Sequence, residues 1–392
     1  MLRPALGAVF LLFLPSVLRA FPGVPGEYPR GLDFDVEGAQ LPLVERLVVF
    51  RGSARAPVPE VPLIRKQDQV AVDPSPDKTA ILVRYDNGVS TRTVRLPLAV
   101  LEARLENALA MKAHRAKDFE GAARGFTKAL AEDPGFDLAA INLACAHAMA
   151  GKRAAAVDAL RPLLKRAALL VYHRALTDPE LASVAEAPEI RALKAARSGT
   201  ARWDPSKRRL VGGVVAYSPA YRAVAALRQT TLFSEDDAVK DRTLSRLVIL
   251  SADSGKTLLD WDLAGARAEL VDRLLADLGF DAPEQEAKDA PRVENTTQTA
   301  PIAFTRLGAE LALINDGTRG VRAVLKRGAA RIAESDEVVD PLVDVGPQNL
   351  ESAVYAPSAG VVVFFYGWFS GEGAGDWMIK APGLLRVPPR LP

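Results

Sequence analysis

ARLENALAMKAHRAKDFEGAARGFTKALAEDP, residues 103–134, is the stretch from which the architecture is read. Phe119, Ala122, Phe126 and Ala129 lie three or four residues apart and so share one helical face, while Leu109 and Ala110 supply the packing positions of a preceding helix. Pro134 falls at the end of the second helix, where a residue without an N–H is commonly found. The same composition, rich in Ala, Leu, Lys, Arg and Glu, continues from Ala99 to about Ala196, with prolines only at apparent helix ends. Small residues at Ala110 and Ala122 suit two antiparallel helices in close contact.

Taking Ala103 as the first position of a repeat of about 34 residues, Leu109, Ala110, Phe119, Ala122, Phe126, Ala129 and Pro134 fall at the packing places of the tetratricopeptide repeat. Glu106 and Ala113 replace the aromatics of that pattern. A second frame from Asp137 fits at Leu143, Ala144, Ala156 and Leu160, with Gly151 between the helices and no proline near Ala168. Residues 99–165 thus resemble the tetratricopeptide-repeat family, and Thr177–Leu181 with Ala187–Arg191 resembles a degenerate closing unit. The resemblance implies a short helical solenoid with a concave face for a protein partner, and no catalysis. It also implies that the first helix of each repeat lines the groove, here with Arg104, Asn107, Met111, His114 and Arg115, then Leu138, Ile141, Asn142 and Cys145. Asn107, Met111, Arg115 and Asn142 are the candidate partner-binding residues. Only Asn142 matches the peptide-carboxylate clamp of some family members, so a carboxylate-terminal ligand is not implied. The competing expectation is that the groove residues pack on flanking strands, because so short an array needs a cover.

Strand signals lie on both sides. Residues 42–98 contain the β-branched run Val44–Arg51, then Ala80–Tyr85 and Val89–Leu96 around Asp86-Asn87-Gly88, a hairpin signal. Residues 21–41 read as an irregular lead-in. Beyond the helical part, 99–197, residues 198–392 read as a mainly antiparallel β domain with one helix at 264–278 and a polar linker at 281–300. Ser-Pro or Ala-Pro turns leading into apolar strands, at Ser218-Pro219 and Ala356-Pro357, make a propeller-like arrangement one expectation for that domain. Residues 42–98 either form their own unit or join it. The fold class expected is α+β.

The composition narrows the function. The chain has 392 residues, with Lys plus Arg at 50 and Asp plus Glu at 48. Residues 1–20, MLRPALGAVFLLFLPSVLRA, have the layout of a secretory signal peptide with cleavage after Ala20, and setting them aside leaves 48 of each sign. A balanced charge lacks the basic footprint of a nucleic-acid binder. The apolar run is too short to span a bilayer, so no integral membrane span is expected after signal removal, and the location expected is periplasmic or secreted. One cysteine and three histidines point to no disulfide framework and no metal site.

Motifs for chemistry are sparse. Ser254-Gly255-Lys256-Thr257 lacks the upstream glycine of a phosphate loop, since Leu250 stands there, and it reads as a hairpin turn. Asp33-x-Asp35-x-Glu37 lacks the twelfth-place acid of a calcium loop, where Val44 stands. No Gly-x-Ser-x-Gly elbow is present, and Cys145 with His147 does not share a helical face. An enzyme and a cofactor are therefore not expected. Aromatics are densest from Tyr355 to Trp377, where alternation sends Phe365 to one sheet face and Phe364 and Tyr366 to the other. The leading expectation is an exported, non-enzymatic scaffold or adaptor that binds a protein partner through the groove. The alternative is a cell-envelope glycan-binding module using Trp368, Phe369 and Trp377 as a platform on the 355–377 hairpin.

Overall fold

The computed structural model describes residues 28–38, 44–61, 64–65, 68–86, 91–195, 199–207, 209–211, 215–232, 242–289, 300–315, 321–337, 349–369 and 377–389. The fold is α+β: among the described residues, seven strands, a run of helices, then a second and larger set of strands.

The first strands are β1 (Asp33–Gly38), β2 (Val44–Arg51), β3 (Ala54–Pro57), β4 (Ile64–Arg65), β5 (Gln69–Pro74), β6 (Ala80–Asp86) and β7 (Thr91–Pro97). They form a sheet ordered β1-β2-β3, with β4 also on β2, and a separate meander β5-β6-β7. Strand β1 lies in the stretch read as an irregular lead-in. Its backbone is paired along its length with β2, from Asp33 against Phe50 to Gly38 against Glu45. The acids that disguise it alternate with Phe34 and Val36, and Asp35 and Glu37 both bond Arg55 of β3. Those carboxylates are cross-strand ion pairs. The Asn87-Gly88 turn lies outside the described residues, while Asp86 and Thr91 on either side are paired.

This unit has its own core of Leu32, Leu47, Val49, Ile64, Ile81, Val83, Tyr85 and Leu96, completed by Leu98, Leu101 and Leu105 of the first helix. Among the described residues its strands pair only with one another, so they add no strand to the C-terminal sheets. Their contribution is to cover one face of that helix.

The helices are α1 (Leu98–Arg115), α2 (Phe119–Glu132), α3 (Asp137–Met149), α4 (Arg153–Arg166), α5 (Ala168–Thr177) and the single turn α6 (Pro188–Arg191). Asp118 caps α2 by accepting a hydrogen bond from the Gly121 N–H at 2.8 Å. Ala110, Ala122, Ala123, Phe126, Leu143 and Ala146 form the seam that joins α1, α2 and α3. The approach there is close: a Cβ placed on Gly125 would lie 2.7 Å from Ala110 Cβ. Pro162 sits inside α4 and not at a helix end, one turn before Arg166, where it removes one i→i−4 hydrogen bond. Only Ala167, at φ −140° and ψ 43°, separates α4 from α5.

The C-terminal strands begin with a small pair, β8 (Arg202–Asp204) and β9 (Arg209–Val211). An eight-stranded sheet follows, built from β10 (Ala216–Ser218), β11 (Ala223–Leu232), β12 (Arg242–Ser251), β13 (Thr257–Asp262), β14 (Glu286–Asp289), β19 (Asn349–Ala356), β20 (Val361–Phe369) and β21 (Trp377–Arg386). Its order is β13-β12-β11-β21-β20-β19-β14, with β10 on β11. A second sheet, β15 (Ile302–Phe304), β16 (Ala309–Asn315), β17 (Val321–Arg327) and β18 (Ala330–Glu337), is a plain meander.

This arrangement replaces the propeller-like expectation. The Ser-Pro turns do lead into strands, but β11 pairs with β21, so early and late strands merge into one broad sheet and radial blades do not form among the described residues. Strand β14 lies in the stretch read as a polar linker and pairs with β19 at the sheet edge, where its charged residues meet solvent. Ser251 and Thr257 flank the expected hairpin turn, with Gly255 at φ 69°. Helix α7 (Ala268–Asp277) is shorter at its start than the expected 264–278.

Alternation in β20 falls as expected. Phe364 and Tyr366 join the core under the β15–β18 sheet, and Phe365 faces the opposite side with Val354, Val361 and Val363. Gly383 is paired with Phe364 across β20 and β21, and the ring lies directly over it. A Cβ at Gly383 would overlap that ring. Gly383→Ala is therefore expected to destabilise the chain by about 1–3 kcal/mol through overpacking, read as a lower midpoint in urea. An unchanged midpoint would mean that the Phe364 ring can move aside.

Candidate functional site

The inner face of the helical array is largely used by the chain itself. Asn142 Nδ2 donates to Asn107 Oδ1 at 2.9 Å, and the two residues are only 9% and 8% exposed. The expectation that they face a partner is corrected: they are a buried pair joining α1 to α3. The reason is coverage. Strands β2 and β3 lie on α1, where Arg51 bonds Glu102 at 2.8 Å and Lys112 donates to the Ser53 carbonyl at 2.5 Å. Arg104 is bonded to Glu60 and stacked over Phe136. Met111 is half-buried against the α1–α2 seam. Arg115 alone of the four candidates is exposed, with no ion pair among the described residues.

At the far end of this face the turn Pro179–Leu181 folds back under α1 and α3. Asp178 Oδ1 accepts the Glu180 N–H at 3.1 Å and so holds the turn. Glu180 then meets His114 Nε2 at 3.1 and 3.0 Å through its two oxygens. Cys145 Sγ lies 3.9 Å from Asp178 Oδ2, and Arg174 pairs with the same oxygen at 3.3 Å. Burial, with the negative charge of Asp178 and Glu180 added to it, pushes the Cys145 thiol up to about 12. At neutral pH it is a protonated thiol, unsuited to nucleophilic attack. Asp178 and Glu180 were legible only as parts of a closing repeat; nothing local to them points to Cys145 or His114.

A cleft of about 640 Å³ opens beside this turn, between α5, α6 and the loop from β13 to α7. Tyr172, Lys194, Trp261, Arg267, Leu270 and Arg273 line it, and Asp178 stands on its rim. Three lining residues are held from behind by Asp277, which is 2% exposed and accepts the Tyr172 hydroxyl at 2.5 Å, with Arg273 at 3.3 Å and Lys194 at 3.5 Å. Burial works to raise the Asp277 carboxyl, but the Tyr172 hydroxyl and the two cations outweigh it and hold the group below the ordinary carboxylate range. Asp262 on another wall pairs with Arg246 at 3.2 Å. Arg267 is exposed and has no ion pair among the described residues. No motif marks this cleft in the sequence, because its walls come from segments about 80 residues apart, such as Lys194 and Arg273.

Trp368, Phe369 and Trp377 belong to the β20–β21 hairpin, where Trp368 pairs with Ile379 and Phe369 with Met378 along the backbone. Their side chains, and the glycine-rich residues 370–376, lie outside the described residues. No described helix is long and apolar enough to cross a membrane.

No family model matches the chain, and searches of curated proteins and of solved structures give no match. The functional reading rests on the site.

Proposed function

We propose that this protein is a non-enzymatic, exported adaptor whose helical array braces two β units and whose cleft beside α5 and α7 holds a segment of a protein partner. The observation that carries the reading is the contrast between two surfaces. The inner helical face spends its polar groups internally, in Asn107–Asn142 and His114–Glu180, whereas the cleft is lined by Trp261 and by Arg267, which has no ion pair among the described residues. A cleft wall that carries an aromatic ring and a guanidinium suits an extended segment carrying a carboxylate. The leader-like opening of the chain supports export, and the resemblance to tetratricopeptide repeats supports an adaptor role.

The test uses photo-crosslinkers in the full chain at Arg267 and, as control, at Asn107. A discrete envelope protein captured at Arg267 and not at Asn107 is the expected result. Arg267→Glu should then weaken binding of the captured segment at least about tenfold, which is about 1.4 kcal/mol. Binding unchanged in Arg267→Glu, or equal capture at both positions, would sink the cleft as the working surface.

A further inference from the structure

We infer that His114, Cys145, Asp178 and Glu180 form a binding site for a transition-metal dication of the zinc class. The site lies at the inner end of the helical array, where an ion would replace the internal His114–Glu180 contact and leave the Asn107–Asn142 pair untouched. The Cys145 sulfur and one carboxylate oxygen each from Asp178 and Glu180 lie within 4.8 Å of one another. His114 Nε2 closes on both Glu180 oxygens at 3.0 and 3.1 Å. A tetrahedral Zn²⁺ with bonds of about 2.0–2.3 Å needs ligand atoms about 3.3–3.8 Å apart. Cys145, Asp178 and Glu180 are therefore within a side-chain contraction of that geometry, while His114, in contact with Glu180 but outside that close group, becomes the fourth ligand by turning its ring from Glu180 toward the ion.

The donor types select the metal. One sulfur, one imidazole nitrogen and two carboxylate oxygens suit a borderline-soft ion such as Zn²⁺, whereas Mg²⁺ and Ca²⁺ take oxygen ligands. The ligands come from three places: the last turn of α1, the middle of α3 and the turn after α5. Cys145 is 3% exposed and His114 7%, so the two softer donors are fixed by packing before any ion arrives. Glu180 is the most exposed member, with a side chain 37% exposed, and it gives an ion a route in from solvent. Arg174 on Asp178 Oδ2 opposes an ion there and balances part of the carboxylate charge, and His114 Nδ1 is buried without a hydrogen-bond partner among the described residues.

Binding has a defined proton balance. The Cys145 thiol loses its proton to solvent when sulfur bonds the metal, and the His114 ring carries its proton on Nδ1 when Nε2 becomes a ligand. No redox change is involved. The metal would tie the Asp178–Leu181 turn to α1 and α3, and through Asp178 it would stiffen one rim of the cleft.

The test uses chelator-treated full chain and Co²⁺ alone as the probe, followed by displacement with Zn²⁺. The expected result is one-to-one binding with a near-ultraviolet sulfur-to-cobalt charge-transfer band, bleached by Zn²⁺. Cys145→Ala should abolish the band, and Glu180→Gln should lower affinity by at least the factor of about 10–100 seen when an outer partner of a ligand is lost. Zn²⁺ should raise the Tm of the wild type and leave that of Cys145→Ala unchanged, and melts without metal show that both variants fold. Absence of binding, binding without the band, or unchanged affinity in Glu180→Gln would each overturn the assignment.

Discussion

Asp277→Ala is expected to cost the full chain about 3–5 kcal/mol, the range for removing one partner of a buried ion pair. The carboxylate is 2% exposed and serves three groups at once: the Tyr172 hydroxyl at 2.5 Å, Arg273 at 3.3 Å and Lys194 at 3.5 Å. Arg273 and Lys194 are partly in solvent and recover hydration when the acid is lost. The Tyr172 hydroxyl is not so placed, because Tyr172 is 4% exposed and packs in the core shared by α5 and α7. The cost therefore sits at the lower end, near 3 kcal/mol, since one buried donor is stranded and a charge-assisted bond is lost. Tyr172→Phe, which removes the donor but leaves the acid its two cations, should cost about 1.5–3 kcal/mol. Urea unfolding of the two single variants and the double variant gives the coupling energy. A value for Asp277→Ala below about 1 kcal/mol would place it with exposed pairs, such as Arg222 on Asp253 at 2.6 and 2.7 Å. The junction between helices and C-terminal strands would then rest on apolar packing and backbone bonds such as Ala195 N–H to the Asp277 carbonyl.

That junction explains why the helices are stable at this length. Ile141, Leu160, Leu163 and Val171 share one core with Leu247, Ile249, Val271, Leu274 and Phe280. At the other end Leu98, Leu101 and Leu105 complete the core of the first β unit. A short array has two open ends, each an apolar face that needs a cover. Here both covers are β units of the same chain.

The helices were legible because their signal is local: Phe119, Ala122, Phe126 and Ala129 state a period of 3.6 without help from the rest of the chain, and α2 spans them. The alternation in β20 was legible for the same reason. Strand β1 was hidden by its acids, whose partner Arg55 is 18 and 20 residues away. The eight-stranded sheet was hidden because the β11–β21 pairing joins residues about 150 apart in the chain, Gln229 and Lys380 among them. The site followed the same rule. Asn107 and Asn142 were placed on the correct helices and on the inner face, yet exposure depends on what packs there, and their 35-residue separation gives no local sign of a bond. The Cys145–Asp178 and Tyr172–Asp277 contacts span 33 and 105 residues.

Acid should weaken this protein well above the carboxylate range, and His173 is the reason. The residue lies on α5, 8% exposed, with its ring 4.6 Å from that of Trp261. Neither ring nitrogen has a hydrogen-bond partner among the described residues. Burial, with a smaller contribution from the Arg174 charge, pushes its pKa from the ordinary 6.5 down to about 4. Above pH 6.5 the ring is neutral in both the folded and the unfolded chain, and stability is at its full value. As the pH falls from 6.5 towards 4, the unfolded chain takes up a proton that the folded chain refuses, so stability is lost. The loss reaches about 3 kcal/mol near pH 4 at about 1.36 kcal/mol per unit and stops growing once the folded ring also titrates. Asp277 acts in the same direction, but its folded pKa lies below 3.8, so its loss falls in a lower window. His173→Leu, which keeps an apolar side chain against Trp261, should flatten the urea stability profile between pH 6.5 and 4 and leave the steeper fall below it. An identical slope in wild type and variant across that window would show that the ring is hydrated or bonded in solution, and that the α5–β13 contact is open there.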